Sequence, residues 1–375
     1  MDDLSYSICG HAEGYGPTVL VLQGGGALGA YQAGAYQALH EAGMEPDWVI
    51  GTSIGAINAA LIAGNPVDQR LAALREFWDR MSPAAAKSPW EAAVAALALP
   101  FAQWNIVTRG IPAFFSPNLA AFISPDKLLG VEQAGYYSTA ALRQTLEGLT
   151  GCDSLGGHGT RLTVGVAGVA SGDMHYFDSR DEKLSVSHIV ASGALPPAFP
   201  AVVIDGAAYW DGGILSNTPL EAVFDDRDRH SALVFSVNVW QGAGPEPASV
   251  NQIAARLKDI QFASRTQTQV LRQQQIHRLR HVIAELTGHL PAEMLKSPEM
   301  RELAGYGCLT RMHVMELQAP RLPGETSYKD IDFSRDGIAA RWQAGYADTA
   351  RAIERAAWKE ACDAMEGLVL HRAEG

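Results

Sequence analysis

The chain has 375 residues, 47% of them hydrophobic and 19% charged, enough to bury one large core or two modest ones and too apolar for long intrinsic disorder. A formal net charge of −12 argues against nucleic acid as a partner and offers no overall attraction to an anionic membrane. The N-terminus, Met1-Asp2-Asp3-Leu4-Ser5, lacks the basic and apolar blocks of a signal peptide, and no apolar run approaches the roughly 18 residues needed to cross a bilayer.

In chain order, Thr18-Val19-Leu20-Val21-Leu22 is an apolar, β-prone run and reads as the first buried parallel strand. It enters Gln23-Gly24-Gly25-Gly26-Ala27-Leu28-Gly29. A helix follows from about Ala30 to Ala42, with Tyr31, Ala35, Leu39 and Ala42 sharing one face, and Gly43 closes it. Trp48 to Ile50 reads as a second strand. Gly51-Thr52-Ser53-Ile54-Gly55 turns it into a helix that runs to Gly64-Asn65-Pro66. Strand–helix–strand–helix order predicts a parallel sheet covered on both faces.

From residue 82 to 135 the aromatics Trp90, Phe101, Trp104, Phe114, Phe115 and Phe122 alternate with prolines, which break the segment into short helices and loops. It reads as an insertion packing on the core, or as a lid or substrate-facing apolar wall. Further strands are expected at Arg161–Ala167, Met174–Phe177, Ala201–Ile204, Ala208–Trp210 and Ala232–Val239, with a helical turn at Ser187–Ser192. From Val250 to Leu286 apolar residues recur at helical spacing and predict one or two long amphipathic helices, with Arg265, Arg272, Arg278 and Arg280 on the solvated face. His277 and His281 stand four apart, but no acid or cysteine at matching spacing completes a metal site, and they read as exposed. A last helix is expected from Ser334, a good N-cap, to about Glu366. Cys9, Cys152, Cys308 and Cys362 are scattered with no C-x-x-C pair, which suits free thiols in a reducing compartment. The simplest address is the cytoplasm, with peripheral contact to a membrane left open.

Three stretches carry candidate chemistry. In Gly51-Thr52-Ser53-Ile54-Gly55 the glycines remove the Cβ atoms that would clash in a sharp strand-to-helix turn. The serine is left at a helix N-terminus, where free N–H groups and the helix dipole favour developing negative charge. The alternative is a helix cap and nothing more. Gly24-Gly25-Gly26-Ala27-Leu28-Gly29 fits G-x-G-x-x-G. A dinucleotide site would want an acid at the end of the second strand, and none is there. The other use of such a loop is an oxyanion hole, since bare N–H groups approach an oxyanion only where side chains are absent. Trp210-Asp211-Gly212-Gly213 reads either as a β-turn or as a strand delivering a base to Ser53. An ordinary carboxylate, pKa about 3.9, is a poor base for a serine hydroxyl unless burial raises it or an oxyanion hole lowers the barrier. A Ser-His-Asp triad is the rival, with His230, His277, His281, His289 and His313 as formal partners.

These three stretches, with Ala191-Ser192-Gly193-Ala194-Leu195-Pro196-Pro197-Ala198-Phe199-Pro200 and Asn217-Thr218-Pro219, resemble the patatin-like phospholipase family over about Val19 to Val239. The resemblance implies a three-layer α/β/α fold with a mainly parallel central sheet, spanning 18–245 after an N-terminal segment 1–17. A mainly helical extension, 246–375, would follow. It implies Ser53 as nucleophile and Asp211 as its base. Gly25 and Gly26, with Ile54, would donate backbone N–H groups to the oxyanion. Gly24, Gly29, Gly51, Gly55, Gly212 and Gly213 would be the motif glycines. The family often carries Arg or Lys where this chain has Leu28, which places ester hydrolysis ahead of phospholipid recognition. The expectation is a serine hydrolase of lipid carboxylic esters needing no metal or cofactor. Non-lipid esters such as hydroxyalkanoate oligomers, or lipid binding without turnover, are the alternatives.

Overall fold

Residues Thr18–Leu22 form β1 and Trp48–Thr52 form β2, all of them buried, as strands covered on both faces require. They pair in parallel, with Leu22 opposite Gly51. The computed structural model describes residues 14–82, 111–150, 155–263, 266–363 and 365–373. Trp90, Phe101, Trp104, Cys9, Cys152 and Arg265 lie outside them.

Among the described residues nine strands make one sheet. The others are β3 Arg161–Gly168, β4 Met174–Asp178, β5 Val202–Ile204, β6 Ala207–Asp211, β7 Ala232–Asn238, β8 Met312–Gln318 and β9 Leu368–Arg372. Their order is β9-β8-β7-β1-β2-β3-β6-β5, with β4 also on β3. Neighbours from β9 to β3 are parallel. The β3–β4, β3–β6 and β6–β5 pairs are antiparallel. The sheet is therefore mainly parallel, as expected.

Alternation along β1 divides the core. Leu20 and Leu22 join the larger cluster, while Val19 and Val21 join the smaller one on the other face. The larger side is covered by α1 Ala30–Glu41, α2 Ile54–Ala63 and α3 Val67–Met81, with α4 Ala140–Leu149 and α5 Val186–Ser192. Helix α3 was not anticipated. Its inward row of Arg70, Leu74, Phe77, Trp78 and Met81 has helical spacing, and its one buried cation, Arg70, interrupts the apolar pattern.

The C-terminal residues contribute α6 Val250–Ala263, α7 Thr266–Gly288 and α8 Arg335–Arg355. They also contribute β8 and β9, which the sequence reading did not place. Helix α8 lies against α1, with Tyr31 Oη donating to Asp348 (2.9 Å) and Trp342 Nε1 to Gln37 (2.7 Å). Its Ser334 cap is as expected, but it stops at Arg355, where Ala356 turns left-handed at φ 45°. His277 and His281 require a correction. They are 3% and 2% exposed, because the inner side of α7 packs over the strands added by the C-terminal residues. In the aromatic segment Phe115 is buried among Phe114, Tyr137 and Phe199, whereas Phe122 is half exposed.

Candidate active site

The turn after β2 holds Ser53 at φ 58°, ψ −125°, a left-handed conformation costly for a residue with a Cβ. The glycines either side make the turn geometrically feasible. A Cβ on Gly51 would lie 2.3 Å from the Gly55 carbonyl carbon, and one on Gly55 would lie 2.1 Å from the Leu22 oxygen. Ser53 N–H donates to Ser192 Oγ (2.9 Å), and Ser192 Oγ donates to the Gly165 carbonyl (2.7 Å). Buried Ser192 thus ties the turn to β3. Its sequence neighbourhood belongs to the resemblance, but no pattern marked the hydroxyl as a tether.

Register brings the acid to the same place. On β3, Gly165 pairs with Thr52 of β2 and Val166 pairs with Asp211 of β6. Ser53 and Asp211 therefore flank one point of β3 from opposite sides. The Asp211 carboxylate, 2% exposed, accepts a hydrogen bond from Gly213 N–H (2.7 Å) and lies near enough to the Ser53 hydroxyl to feel it electrostatically. Burial pushes its pKa up from 3.8 to about 7, against the opposing pull of the nearby Ser53 hydroxyl and the Gly213 N–H. A carboxylate of that basicity suits proton transfer near neutrality.

The glycine loop lies alongside. A Cβ on Gly24 would come within 3.0 Å of Ser53 Cβ. Gly24 N–H donates to the Asn217 carbonyl (3.0 Å), while its own carbonyl accepts from Trp240 Nε1 (2.8 Å) and Asn217 Nδ2 (3.1 Å). Gly26 sits at φ 56°, where a Cβ would strike the Asp330 carbonyl at 2.2 Å. Among the described residues no acceptor meets the N–H groups of Gly25 or Gly26. Ile54 opens α2 directly after Ser53.

C-terminal elements buttress this loop, which sequence patterns did not suggest. The Phe262 carbonyl, near the end of α6, accepts from Asn217 Nδ2 (3.0 Å) and Gln23 Nε2 (3.3 Å). Gln23 Oε1 in turn accepts from the N–H groups of Val239 (2.6 Å) and Trp240 (2.9 Å). Buried Asp259 of α6 accepts from Lys329 Nζ at 2.7 Å, and that ammonium lies 5.3 Å from the Trp240 ring centroid. Paired charge is needed to hold an acid in such a place.

The rival histidines lie elsewhere. His313 Nδ1 meets His371 Nε2 at 3.0 Å, His281 meets the Thr310 carbonyl, His230 meets the Asp228 carbonyl, and His289 pairs with Glu285. Gly29 closes a short 3-10 turn after the glycine loop, and Gly212 and Gly213 open another directly after Asp211. A Cβ on Gly29 would strike Ile54, and one on Gly212 the Gly165 carbonyl. Leu28 is buried, so this position brings neither charge nor polarity to the site.

The family model described as patatin-like phospholipase matches residues 20–224, and one described as patatin phospholipase matches 260–365. Lysophospholipase nte1 of Aspergillus terreus is 50% identical over 60 residues, which are 16% of this chain and 4% of that protein. Triacylglycerol lipase ptl3 of Schizosaccharomyces pombe is 40% identical over 62 residues, 16% of this chain and 13% of that protein. The uncharacterized protein YqhO of Bacillus subtilis is 26% identical over 215 residues, 56% of this chain and 67% of that protein. The matched segments thus span only a small part of the two named enzymes. Among solved structures, VipD from Legionella pneumophila gives a TM-score of 0.38 at 15% identity, covering 90% of this chain and 67% of VipD. The ExoU–SpcU complex of Pseudomonas aeruginosa gives 0.37 at 16%, covering 91% and 51%. Since the first model alone takes in more than half of the residues, the chain belongs to the patatin-like phospholipase family.

Proposed function

We propose that this protein is a serine hydrolase of lipid carboxylic esters, working through an acyl-enzyme on Ser53 with Asp211 as its base. The observation that carries the reading is a buried carboxylate, raised in basicity, brought by strand register beside a strained serine and a bare glycine loop.

In the proposed first step Ser53 Oγ attacks the ester carbonyl carbon while its proton passes to Asp211. The carbonyl electron pair moves onto oxygen, where the N–H groups of Gly25, Gly26 and Ile54 receive it. One such donor is worth about 3–4 kcal/mol in hydrolases of this kind. Collapse expels the alcohol, which takes the proton from Asp211 and leaves the acyl group on Ser53. Water then attacks the acyl carbon and gives a proton to Asp211. The second collapse releases the carboxylic acid and returns that proton to Ser53. A single carboxylate serves as base and acid in each half, so no histidine is needed.

The test is turnover of a medium-chain p-nitrophenyl ester by wild type, Ser53→Ala and Asp211→Asn, with fluorophosphonate labelling alongside. The expected result is loss of turnover in both variants and labelling of wild type at Ser53. Wild-type-like turnover in either variant would remove that residue from the mechanism.

A further inference from the structure

An amphipathic helix on a protein surface normally turns its apolar stripe inward. Helix α6 does the reverse. Val250, Ile253, Leu257 and Ile260, spaced three, four and three apart, share one side and are 81%, 55%, 63% and 49% exposed. The opposite side carries the contacts: buried Asp259, Arg256 donating to the Gln241 carbonyl (3.1 Å), and the Phe262 carbonyl under Asn217 and Gln23. Helix α7 repeats the inversion. Val270, His277 and His281 face in, while Leu271, Ile276, Leu279 and Leu286 are exposed with Arg272 and Arg278. Two successive helices with outward apolar rows make an exposed patch of the kind that marks a contact surface.

We propose that the outward face of α6 and α7 seats the protein on a bilayer surface and so brings lipid esters to Ser53. This rests on the hydrolase reading for its purpose but not for its test.

Two observations select a lipid surface. The first is charge. Residues 250–286 hold six Lys and Arg against two acids, in a chain with 29 against 41 overall. Asp259 is taken up by Lys329, Lys258 by Asp330 and Arg256 by backbone carbonyls, while among the described residues Arg272 and Arg278 stand exposed beside the apolar rows. A second copy of this chain, docking by the same face, would bring Arg272 and Arg278 toward their equivalents, with Glu285 as the one exposed acid of this stretch to meet them. Lipid phosphates supply the missing anions, and Leu and Ile flanked by Arg is the pattern of a helix lying in the interface plane. Among the described residues no helix is long and apolar enough to cross a membrane.

The second is continuity with the site. The apolar row on α6 ends next to Phe262, whose carbonyl takes hydrogen bonds from the two residues that anchor the glycine loop. The helix that turns its apolar row outward therefore also holds the glycine loop beside Ser53 through its inward side.

Co-sedimentation with vesicles tests this, using the Ser53→Ala protein so that binding needs no turnover. Phosphatidylcholine vesicles with and without phosphatidylglycerol are the probes. On that background Leu257→Gln with Ile260→Gln should lower partitioning about tenfold or more, as loss of two buried aliphatic side chains implies. Arg272→Gln with Arg278→Gln should abolish the preference for phosphatidylglycerol. In the Ser53 protein the Leu257/Ile260 pair should leave a water-soluble short-chain ester turned over as before, while hydrolysis of vesicle lipid falls. Unchanged partitioning of the Leu257/Ile260 variant, or no sedimentation of the parent protein, would overturn the proposal. So would light scattering that showed a dimer split by those two substitutions. Vesicle binding with no turnover of the soluble ester by the Ser53 protein would uphold docking and count against the hydrolase reading.

Discussion

Asp211→Asn separates the chemical role of the carboxylate from its cost to the fold. The carboxyl is fully enclosed, and its pKa moves from 3.8 to about 7. At about 1.36 kcal/mol per unit, a shift of that size is on the order of 4 kcal/mol. The sign follows from proton counts. Between pH 4 and 7 the folded chain keeps the proton that the unfolded chain has released, so stability falls as pH rises through that window and then levels off. Asn cannot ionise and escapes the loss. Asp211→Asn should therefore match wild type in stability near pH 4 and exceed it by up to about 4 kcal/mol above pH 7. Urea denaturation of both proteins across pH 4–8 measures this. In wild type, kcat/KM should rise with pH through an ionisation near 7, and turnover should be lost in the variant. A stability gap that does not change with pH, or a wild-type activity limb near pH 4, would refute the burial argument.

Three other substitutions probe the geometry around the dyad. Ser192→Ala removes the hydroxyl between Ser53 N–H and the Gly165 carbonyl. It should cost about 1–3 kcal/mol in thermal unfolding and lower kcat more than it raises KM. Ser53→Gly relieves the strain at φ 58°, so it should unfold about 1 kcal/mol later than Ser53→Ala, with both inactive. Asp259→Leu removes the nearer of the two carboxylates that meet buried Lys329, leaving Glu325 at 3.7 Å. It should destabilise by about 3 kcal/mol and lower kcat, and adding Lys329→Met should restore much of the stability.

The elements around the site were legible where local chemistry dictates local structure. Short β-branched runs bounded by glycine favour buried strands, and a serine flanked by glycines after such a run favours a tight turn. The spacing of apolar residues at 250–286 announced helices, but not which side would face out. Helix α3 went unplaced because its inward row includes Arg70. Strand β8, Met-His-Val-Met-Glu-Leu-Gln, lacks alternation and β-branched density, so its identity comes from the edge that β7 offers it.

Taken alone, the order of residues indicated an α/β sheet with parallel strands, a serine at a sharp turn, a glycine loop and an aspartate on a later strand. These depend on contacts between near neighbours in the chain, which composition and spacing report. Only the tertiary structure decided that β3 stands between Ser53 and Asp211, that Ser192 ties the turn, and that Asp259, Lys329 and Trp240 buttress the loop. It also decided that His277 and His281 are covered. Each of these is a meeting of distant segments, fixed by strand register and by how much surface is left to bury, and neither quantity is written in any one stretch of sequence.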